Sequence, residues 1–272
     1  MGPCLSLLVL CAGLASPGAA GAETGILAMG DFGVGGSVER ELGTAMRGYE
    51  ADHPAESIVT LGDNDYTENP EAFRRNWRDA FGWRRDAGVG VAGTLGNHDI
   101  VVDNGRYQFG PLDMPRARYT RTIGNVQVFV LNSNRVTGKQ TAWLESRLAS
   151  STSPWRIAVL HHPAWTCGGY RSHPGVVERW VPLFEDHGVD LVLSGHDHNY
   201  QRFAARNGVR YIVHGGGSTT LYPIEACPEG YPRRLFARAA RGFLFVRATA
   251  DELRAAAVNL RGRVIDRVSI TP

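Results

Sequence analysis

Short apolar runs separated by amphipathic segments dominate the first two thirds of the chain. The runs lack polar alternation, which is typical of strands that are covered on both faces of a sheet. These predicted strands span residues 24–30, 57–61, 90–95, 156–160 and 189–193. Buried strands that alternate with helices predict an α/β fold.

The segments between these runs have helical periodicity. In one of them, Phe73, Trp77 and Phe81 recur every fourth residue, which places them on one face of a helix. The predicted helices span residues 37–52, 70–81, 140–148 and 176–187. Ser37 is the expected cap of the first helix, and Pro70 suits the first turn of the second.

Two further groups of strands complete the pattern. Residues 118–123 and 126–132 flank Gly124-Asn125, which is a strong hairpin signal. After Tyr200 we expect a mostly antiparallel second sheet, because strand-like segments follow one another there without helices. These segments lie near Phe203, Tyr211, Phe243, Leu253 and Val264. The whole pattern predicts one domain over residues 23–272, an α/β (α+β) sandwich of two packed mixed sheets flanked by helices.

Residues 1–22 are uncharged and largely apolar, which is typical of a secretory signal peptide. The segment ends in the small tripeptide Ala20-Gly21-Ala22, so cleavage is expected before Glu23. Its apolar core is too short to span a bilayer stably, although the usual basic start is missing. An N-terminal membrane anchor is the alternative. We therefore expect a secreted or periplasmic protein without a stable membrane anchor.

Charge and cysteine content bear on the possible partners of the protein and on its disulfide bonding. The chain has 272 residues with 29 basic and 27 acidic side chains, and no dense basic block that would indicate a nucleic-acid partner. Cleavage of the signal would leave Cys167 and Cys227 as the two cysteines, and two thiols in an exported protein predict one disulfide. The oligomeric state is not predicted by these features.

Side chains that bind metals follow the ends of the predicted strands. In an α/β sheet, the active site commonly lies beyond the carboxyl ends of the strands, so these side chains are expected to converge. The candidate ligands are Asp31, Asp63, Tyr66, Asn97, His161, His196 and His198. This set is too large for one ion, and two ions that share a carboxylate would explain it. Mixed oxygen and nitrogen donors suit Fe, Zn or Mn rather than Ca.

The motifs that contain these residues resemble the calcineurin-like metallophosphoesterases. They are Gly30-Asp31-Phe32-Gly33, Gly62-Asp63-x-x-Tyr66, Gly96-Asn97-His98-Asp99, His161-His162-Pro163 and Gly195-His196-Asp197-His198. More narrowly, the chain resembles the purple acid phosphatases of the small, tartrate-resistant type. Gly33 stands where most of the superfamily carries histidine, and Tyr66 follows Asp63 by three residues, as in that narrower group.

The resemblance implies how the seven residues divide between two ions. Asp63 would bridge them. One ion would take Asp31, Tyr66 and His198, and the other would take Asn97, His161 and His196. Fe(III) is implied beside Tyr66, with Zn, Fe or Mn in the other position. Residues 157–161 depart from the spacing of the family, and His161 is assigned rather than His162 because the His-x-Pro pattern then matches.

The resemblance also implies the reaction, which is hydrolysis of small phosphomonoesters by a metal-bound hydroxide. His98 would hold a phosphate oxygen or protonate the leaving group, and Asp99 would orient His98. His162 and His173 are candidate substrate-binding residues, although loop histidines without a role are the alternative. A phosphodiesterase or nucleotide pyrophosphohydrolase on the same scaffold is the second functional hypothesis, and a non-catalytic phosphate-binding or adhesive protein is the third.

Overall fold

The computed structural model describes residues 23–272, so the predicted signal peptide lies outside the described residues. The strands are β1 Thr24–Met29, β2 Ser57–Thr60, β3 Gly90–Ala92, β4 Tyr119–Ile123, β5 Val126–Val130, β6 Trp155–Val159, β7 Leu191–Ser194, β8 Tyr200–Phe203, β9 Arg210–His214, β10 Arg234–Arg238, β11 Gly242–Ala248, β12 Leu253–Asn259 and β13 Val264–Ile270. The helices are α1 Gly36–Asp52, α2 Pro70–Phe81, α3 Trp83–Asp86, α4 Gly138–Ala149, α5 Pro174–Arg179 and α6 Val181–Asp186, with a 3₁₀ segment at Asp103–Gln108.

Two mixed sheets form the centre of the fold, as predicted. The first has six strands in the order β13-β12-β11-β1-β2-β3, and the second has seven in the order β10-β8-β9-β7-β6-β5-β4. Pairing is parallel from β1 to β3 in the first sheet, and from β5 through β6 and β7 to β9 in the second. In each sheet, the carboxyl ends of the parallel strands therefore lie side by side.

The expectation of a separate antiparallel sheet after Tyr200 is wrong. Strands β8, β9 and β10 extend the second sheet, whereas β11, β12 and β13 extend the first through antiparallel pairing of β11 with β1. In this register, Ala28 of β1 lies opposite Leu244 of β11. The C-terminal third of the chain thus completes both sheets, because each had a free edge that an added strand could pair with.

One continuous cluster of buried side chains joins the first two helices to both sheets. It includes Leu42 of α1, Phe73 of α2 and Val128 of β5. A second cluster lies where α4 to α6 cover the seven-stranded sheet, and Leu144 and Phe184 belong to it. The sheets are therefore packed face to face with helices outside them. No helix among residues 23–272 combines the length and the apolar character needed to cross a membrane.

One predicted helix is divided in the structure. The segment predicted as one helix over 176–187 forms α5 and α6, which are separated at Trp180. Pro182, in the first turn of α6, has no backbone N–H, so it cannot continue the helical hydrogen bonds of α5. The helix α2 has its predicted bounds, and the Asn69 side chain caps it by accepting hydrogen bonds from the backbone N–H groups of Glu71 and Ala72, both at 3.0 Å.

The N-terminus of α1 is not capped by Ser37, contrary to the prediction. The helix begins at Gly36 without a side-chain cap, and the Glu39 carboxylate instead accepts a hydrogen bond from the backbone N–H of Gly35 at 3.0 Å. Glu39 is buried, and its second oxygen has no hydrogen-bond partner among the described residues. Burial raises the pKa of Glu39 from its usual 4.5 to about 8.

Glu39 is therefore expected to make stability depend on pH. Between pH 4.5 and 8 the folded chain keeps a proton on Glu39 that the unfolded chain has released, so stability falls as pH rises, by at most about 1.4 kcal/mol per pH unit. Glu39→Gln retains the acceptor oxygen and cannot ionise. We expect its melting temperature to equal that of the wild type near pH 4 and to exceed it increasingly up to pH 8.

The control is Glu50→Gln, because Glu50 lies at the other end of α1 and makes no side-chain hydrogen bond among the described residues. Its melting temperature should follow the wild type at every pH. Parallel curves for Glu39→Gln and the wild type would contradict the buried, protonated state.

Candidate metal centre

The carboxyl ends of strands from both sheets converge on one cluster of polar side chains. Asp31 follows β1, Asp63 follows β2, and Asn97 lies in the loop after β3. From the second sheet, His161 follows β6 and His196 follows β7. The strand ends predicted to carry the candidate ligands are thus the ones that the two sheets bring together.

The backbone is strained at three of these positions. Asp31, Asp63 and His196 have φ values of 61°, 53° and 69°, in the left-handed region that residues with a side chain rarely adopt. Such strain costs of order 1–3 kcal/mol per residue and concentrates at functional sites. The surrounding hydrogen bonds stabilise it, because the backbone N–H of His196 donates to Asp31 Oδ2 at 2.8 Å and that of His98 donates to Asp63 Oδ1 at 3.0 Å.

Four donor atoms, here called the Tyr66 group, meet on one side of the cluster. They belong to Asp31, Asp63, Tyr66 and His198. Tyr66 Oη lies 3.4 Å from Asp31 Oδ1, 3.2 Å from Asp63 Oδ2 and 3.2 Å from His198 Nε2. His198 Nε2 in turn lies 3.3 Å from Asp31 Oδ1. Two carboxylate oxygens and one ring nitrogen therefore lie within 3.4 Å of Tyr66 Oη.

A second set of donor atoms, here called the Asn97 group, lies on the other side. It contains Asp63, Asn97, His161 and His196. His161 Nε2 lies 3.4 Å from Asp63 Oδ1, 3.1 Å from Asn97 Oδ1 and 3.1 Å from His196 Nδ1. Asp63 belongs to both groups and contributes a different oxygen to each. The structure thus brings together the residues that the family resemblance assigns to each ion, and their role as ligands stays a prediction. The ligand atoms of Asp31, Asp63 and His161 also lie within 4.8 Å of one another, as do those of His161, His162 and His196.

Hydrogen bonds to backbone carbonyls orient two of the histidines. His161 Nδ1 lies 2.9 Å from the carbonyl oxygen of Leu61, and His198 Nδ1 lies 2.8 Å from that of Thr220. A carbonyl only accepts, so each Nδ1 carries the proton. Each ring therefore directs its Nε2 atom into the cluster, and this orientation suits a histidine that binds a metal ion through Nε2.

The charges of the cluster need compensation from a cation or from protons. Asp31 and Asp63 are buried, and within the part of the chain that the structure describes their ion pairs are with His198 and His161, not with lysine or arginine. Burial raises the pKa of Asp31. Burial lowers the pKa of His161, but Asp63, together with Asp31 and the Leu61 carbonyl, raises that pKa to about 9. A metal ion would supply the same compensation and displace the proton, so the donor set fits metal ions.

Gly33 lies where a side chain has no room. A Cβ atom at this position would lie 2.2 Å from the carbonyl carbon of Asn64 and 2.2 Å from the backbone nitrogen of Asp65. The backbone N–H of Gly33 donates to the Asp63 carbonyl at 3.2 Å, and its own carbonyl accepts from the N–H of Tyr66 at 2.9 Å. Gly33 thus fixes the loop that carries Asp63 and Tyr66.

His98 lies beside the Tyr66 group, whereas Asp99 is directed elsewhere. The ring centroids of His98 and Tyr66 are 4.6 Å apart, and the His98 side chain is half-buried. Asp99 is buried, and its two oxygens accept hydrogen bonds from the N–H groups of Asn64 and Gly96, among others, rather than from His98. The predicted role of Asp99 in orienting His98 is therefore wrong. Asp99 instead joins the loops that carry Asp63 and Asn97.

His162 and His173 lie at increasing distance from the candidate ligands. The His162 ring is 4.5 Å from that of His196, and its Nδ1 lies 2.9 Å from Ser133 Oγ. Burial, followed by the charge of His161, holds the pKa of His162 well below its usual range. His173 is 5.4 Å from His162, and its Nδ1 accepts from the N–H of Val176 at 3.3 Å. His173 therefore caps α5.

A disulfide joins two loops beside the cluster. The bond between Cys167 and Cys227 was predicted, and it spans 60 positions of sequence. Asp197, which separates His196 from His198, faces these loops: it accepts hydrogen bonds from Thr166 Oγ1 and, at 3.1 Å, from the N–H of Gly169. The acidic residue between the two histidines therefore supports the disulfide loop and does not enter either donor group.

Two tyrosines in the disulfide-linked loops were not predicted. Tyr170 stacks on His196 with ring centroids 4.0 Å apart, and Tyr222 stacks on His198 at 4.2 Å. Tyr170 follows Cys167 by three residues. The predicted disulfide was therefore the signal in the sequence that could have placed this loop beside the site. No motif contains Tyr222, which reaches His198 through a loop whose path the sequence pattern does not specify.

Sequence comparisons support the resemblance. A sequence profile described as calcineurin-like phosphoesterase matches residues 20–200. The tartrate-resistant acid phosphatase type 5 of Sus scrofa is 23% identical over 97% of this chain and 94% of that protein. The Homo sapiens protein of the same name is 25% identical over 77% of each chain.

Solved structures share the fold. A Plasmodium protein described as GAP50, the anchor in the inner membrane complex, has a TM-score of 0.79 and 18% identity over 92% of this chain and 89% of its own. The purple acid phosphatase PPD1 from yellow lupin has a TM-score of 0.77 and 18% identity over 92% of this chain and 54% of its own. Because the family profile covers most of the chain and the strand ends carry its motifs, the chain belongs to the calcineurin-like phosphoesterase family.

Proposed function

We propose that the chain is a secreted phosphomonoesterase that depends on two metal ions, one in the Tyr66 group and one in the Asn97 group. The observation that carries this proposal is the position of Asp63, whose two oxygens lie in different groups, 3.2 Å from Tyr66 Oη and 3.4 Å from His161 Nε2. A single carboxylate shared in this way favours a pair of ions. The chemistry that such ions supply is activation of water and neutralisation of charge on phosphoryl oxygens.

The side chains around the two groups have complementary roles in this proposal. His98 is half-buried beside Tyr66, and we assign it to bind a phosphate oxygen or to protonate the leaving group. His162 is held neutral by burial, so it contributes a hydrogen bond rather than a charge. Asp99 and Asp197 keep the surrounding loops in place. His173 remains a candidate for substrate contact only through the ring nitrogen that does not cap α5.

The identity of the ions is tested by metal analysis together with the visible spectrum. We expect two ions per chain and, with Fe(III) in the Tyr66 group, a visible band from the Tyr66 phenolate that is lost in Tyr66→Phe. The matched control is Tyr107→Phe, because the Tyr107 hydroxyl donates to Asp65 at 2.8 Å and lies outside both groups. This control should keep the band. A single zinc ion without a band would reject the iron assignment while leaving hydrolysis possible.

The substrate class is tested by comparing p-nitrophenyl phosphate with bis-p-nitrophenyl phosphate. Faster cleavage of the monoester supports the proposal, since the chromophore and the leaving group are the same in both. Faster cleavage of the diester would favour the alternative, a phosphodiesterase or nucleotide pyrophosphohydrolase with the same donor groups. Cleavage of neither ester by protein with two bound ions would contradict both.

A non-catalytic role is the remaining alternative, because the Plasmodium neighbour with this fold is named as an anchor. Fold alone does not assign catalysis. Loss of catalysis usually removes ligands, yet the candidate donors of both groups are in place in this chain. The shared Asp63 therefore favours an enzyme.

Export and a single catalytic unit complete the proposal. The disulfide between Cys167 and Cys227 suits an oxidising compartment, in agreement with the apolar segment at residues 1–22. We assign residues 23–272 to one domain, because its metal-binding side chains come from both sheets. Its substrate would be a small phosphorylated molecule, with the phosphate bound between the two donor groups.

A further inference from the structure

A cavity with a strongly basic lining lies beside α2 and α3, outside the candidate metal centre. Its volume is 360 Å³, which is within the range of sites that bind small molecules. Four arginines line it, namely Arg74, Arg78, Arg84 and Arg85. None of the residues that line it belongs to the Tyr66 group or to the Asn97 group. It is here called the arginine cavity.

Helical spacing brings these arginines together. Arg74 and Arg78 are four residues apart on α2, so they lie on one face of that helix. Gly82 joins α2 to α3 with helical φ and ψ values of −59° and −29°, and its backbone N–H donates to the carbonyl of Arg78 at 2.9 Å. The chain therefore continues in nearly the same direction, and Arg85 lies about two helical turns beyond Arg78.

The inner surface of the arginine cavity is formed by Trp77 and Phe81, whose side chains are buried. The guanidinium group of Arg84 lies over the Trp77 ring, 5.9 Å from its centroid, and its Nη1 donates to the carbonyl of Val89 at 3.2 Å. Arg84 is therefore held in place before any ligand binds. A ligand that contacts it loses little entropy in ordering that side chain.

The positive charge of the arginine cavity is largely uncompensated. Residues 74–85 contain five arginines and one acidic residue, Asp79, whose carboxylate lies 3.5 Å from Arg78 Nε. Within the part of the chain that the structure describes, Arg74 and Arg85 make no ion pair. Both side chains are exposed, so their N–H donors are available to a ligand.

Like charges also lie close to each other at Arg84. Burial, followed by the charge of Arg85, lowers the pKa of Arg84. Asp113 opposes this effect, but its carboxylate already forms an ion pair with Arg121. An anion bound in the cavity would relieve the repulsion between the two arginines.

We propose that the arginine cavity is a second binding site, for a compact anion that carries two or more phosphoryl groups. The planar N–H pairs of a guanidinium group match phosphoryl oxygens, and several such groups reach more of the four arginines than one does. Single-stranded nucleic acids instead bind in grooves whose aromatic side chains stack with the bases. Trp77 and Phe81 are buried, so the cavity favours a small ligand. This inference goes beyond the proposed function, because it does not involve the metal ions.

The test is a calorimetric titration of the metal-loaded protein with naphthalene-1,3,6-trisulfonate. Its sulfonate oxygens stand in for phosphoryl oxygens, and the metal centre cannot hydrolyse it. We expect one molecule to bind per chain, at least about tenfold more tightly than naphthalene-2-sulfonate at the same ionic strength. Inorganic tripolyphosphate should displace the probe at lower concentration than orthophosphate does. Equal affinity for the two sulfonates, or equal displacement by the two phosphates, would overturn the proposal.

The double variant Arg74→Gln with Arg85→Gln should bind the trisulfonate at least about tenfold more weakly than the wild type. Arg84 is left in place because it contacts Trp77 and Val89. The matched control replaces Arg147 of α4 and Arg179 of α5, both exposed, with glutamine, which changes the net charge equally. The control should bind as the wild type does. Equal weakening in both double variants, or none in either, would contradict a specific site.

Two further measurements separate this inference from the proposed function. Asp63→Asn should bind the trisulfonate with wild-type affinity, and loss of binding in that variant would overturn the inference, because the probe would then occupy the metal centre. Arg74→Gln with Arg85→Gln should keep the wild-type kcat/KM for p-nitrophenyl phosphate. If the wild type hydrolyses no ester but binds the probe through these arginines, the proposed function fails and the arginine cavity stands. If it hydrolyses the monoester but does not bind the probe, the proposed function stands and the arginine cavity fails.

Discussion

Asp63→Asn is expected to reduce the metal content from two ions per chain to one or fewer and to lower kcat/KM for p-nitrophenyl phosphate by more than about 100-fold. The asparagine has the same volume but offers one oxygen where the carboxylate offers two. In the native cluster, Oδ2 of Asp63 belongs to the Tyr66 group and Oδ1 to the Asn97 group. Loss of a residue that merely supports a ligand costs about 10- to 100-fold, so loss of the shared ligand should cost more.

Asp197→Asn is the matched control for this prediction. Asp197 is also a buried carboxylate at the end of a strand, and it lies between His196 and His198 in the sequence. Its oxygens contact Thr166 and Gly169 instead of the donor groups. We expect this variant to keep two ions and most of the activity. Two ions bound with wild-type affinity by Asp63→Asn would contradict the shared position of Asp63.

Variants of the two groups should behave differently from Asp63→Asn. Asn97→Ala removes a donor from one group and leaves the other intact, so about one ion should remain tightly bound. Tyr66→Phe should have the corresponding effect on the other ion. Metal content measured after dialysis against a chelator, with circular dichroism to confirm folding, distinguishes these cases. Equal loss of both ions in every variant would mean that the two groups do not bind independently.

Replacing both Cys167 and Cys227 with alanine is expected to lower the free energy of unfolding by about 4 kcal/mol, because the bond closes a loop of 60 positions in the unfolded chain. For a protein of this size, the melting temperature should fall by roughly 10 °C. Alanine is preferred to serine because Cys167 is buried within the apolar cluster beneath α4 to α6.

The wild type treated with a reductant is the control for the cysteine variant. Its melting temperature should approach that of the double variant, since both lack the cross-link. The double variant itself should lose no further stability in reductant. A melting temperature that equals the oxidised wild type would contradict a stabilising bond. Metal content should be preserved in the folded variant, because neither cysteine belongs to a donor group.

The candidate metal centre was largely predictable because its signals are local. A buried apolar run that ends in glycine and a polar residue, as at Asp31 and Asp63, predicts a strand. It also predicts that the polar side chain lies at the carboxyl end of that strand. Parallel pairing then brings the carboxyl ends of neighbouring strands together. Asp99 illustrates the limit of this reasoning. It is adjacent to His98 in the sequence, but its carboxylate accepts from the loops of Asn64 and Gly96, and adjacency does not specify side-chain direction in a turn.

The features that were not predictable depend on which distant segments meet. Strands β8 to β13 were expected in one sheet, but a strand's hydrophobic pattern does not identify its partner, and β11 pairs with β1 from the other end of the chain. Glu39 replaces Ser37 at the start of α1 because a buried carboxylate can reach back to the N–H of Gly35. Tyr170 and Tyr222 meet the histidines through irregular loops, which have no periodicity from which a path can be inferred.

The close contact at Gly33 limits which side chains can stand beside the Tyr66 group. Gly33 and Tyr66 belong to two backbone segments that are joined by hydrogen bonds. With a Cβ atom 2.2 Å from the backbone of Asn64, a histidine at 33 would displace the very loop that carries Tyr66. In this chain, a histidine at 33 and the present position of Tyr66 therefore exclude each other.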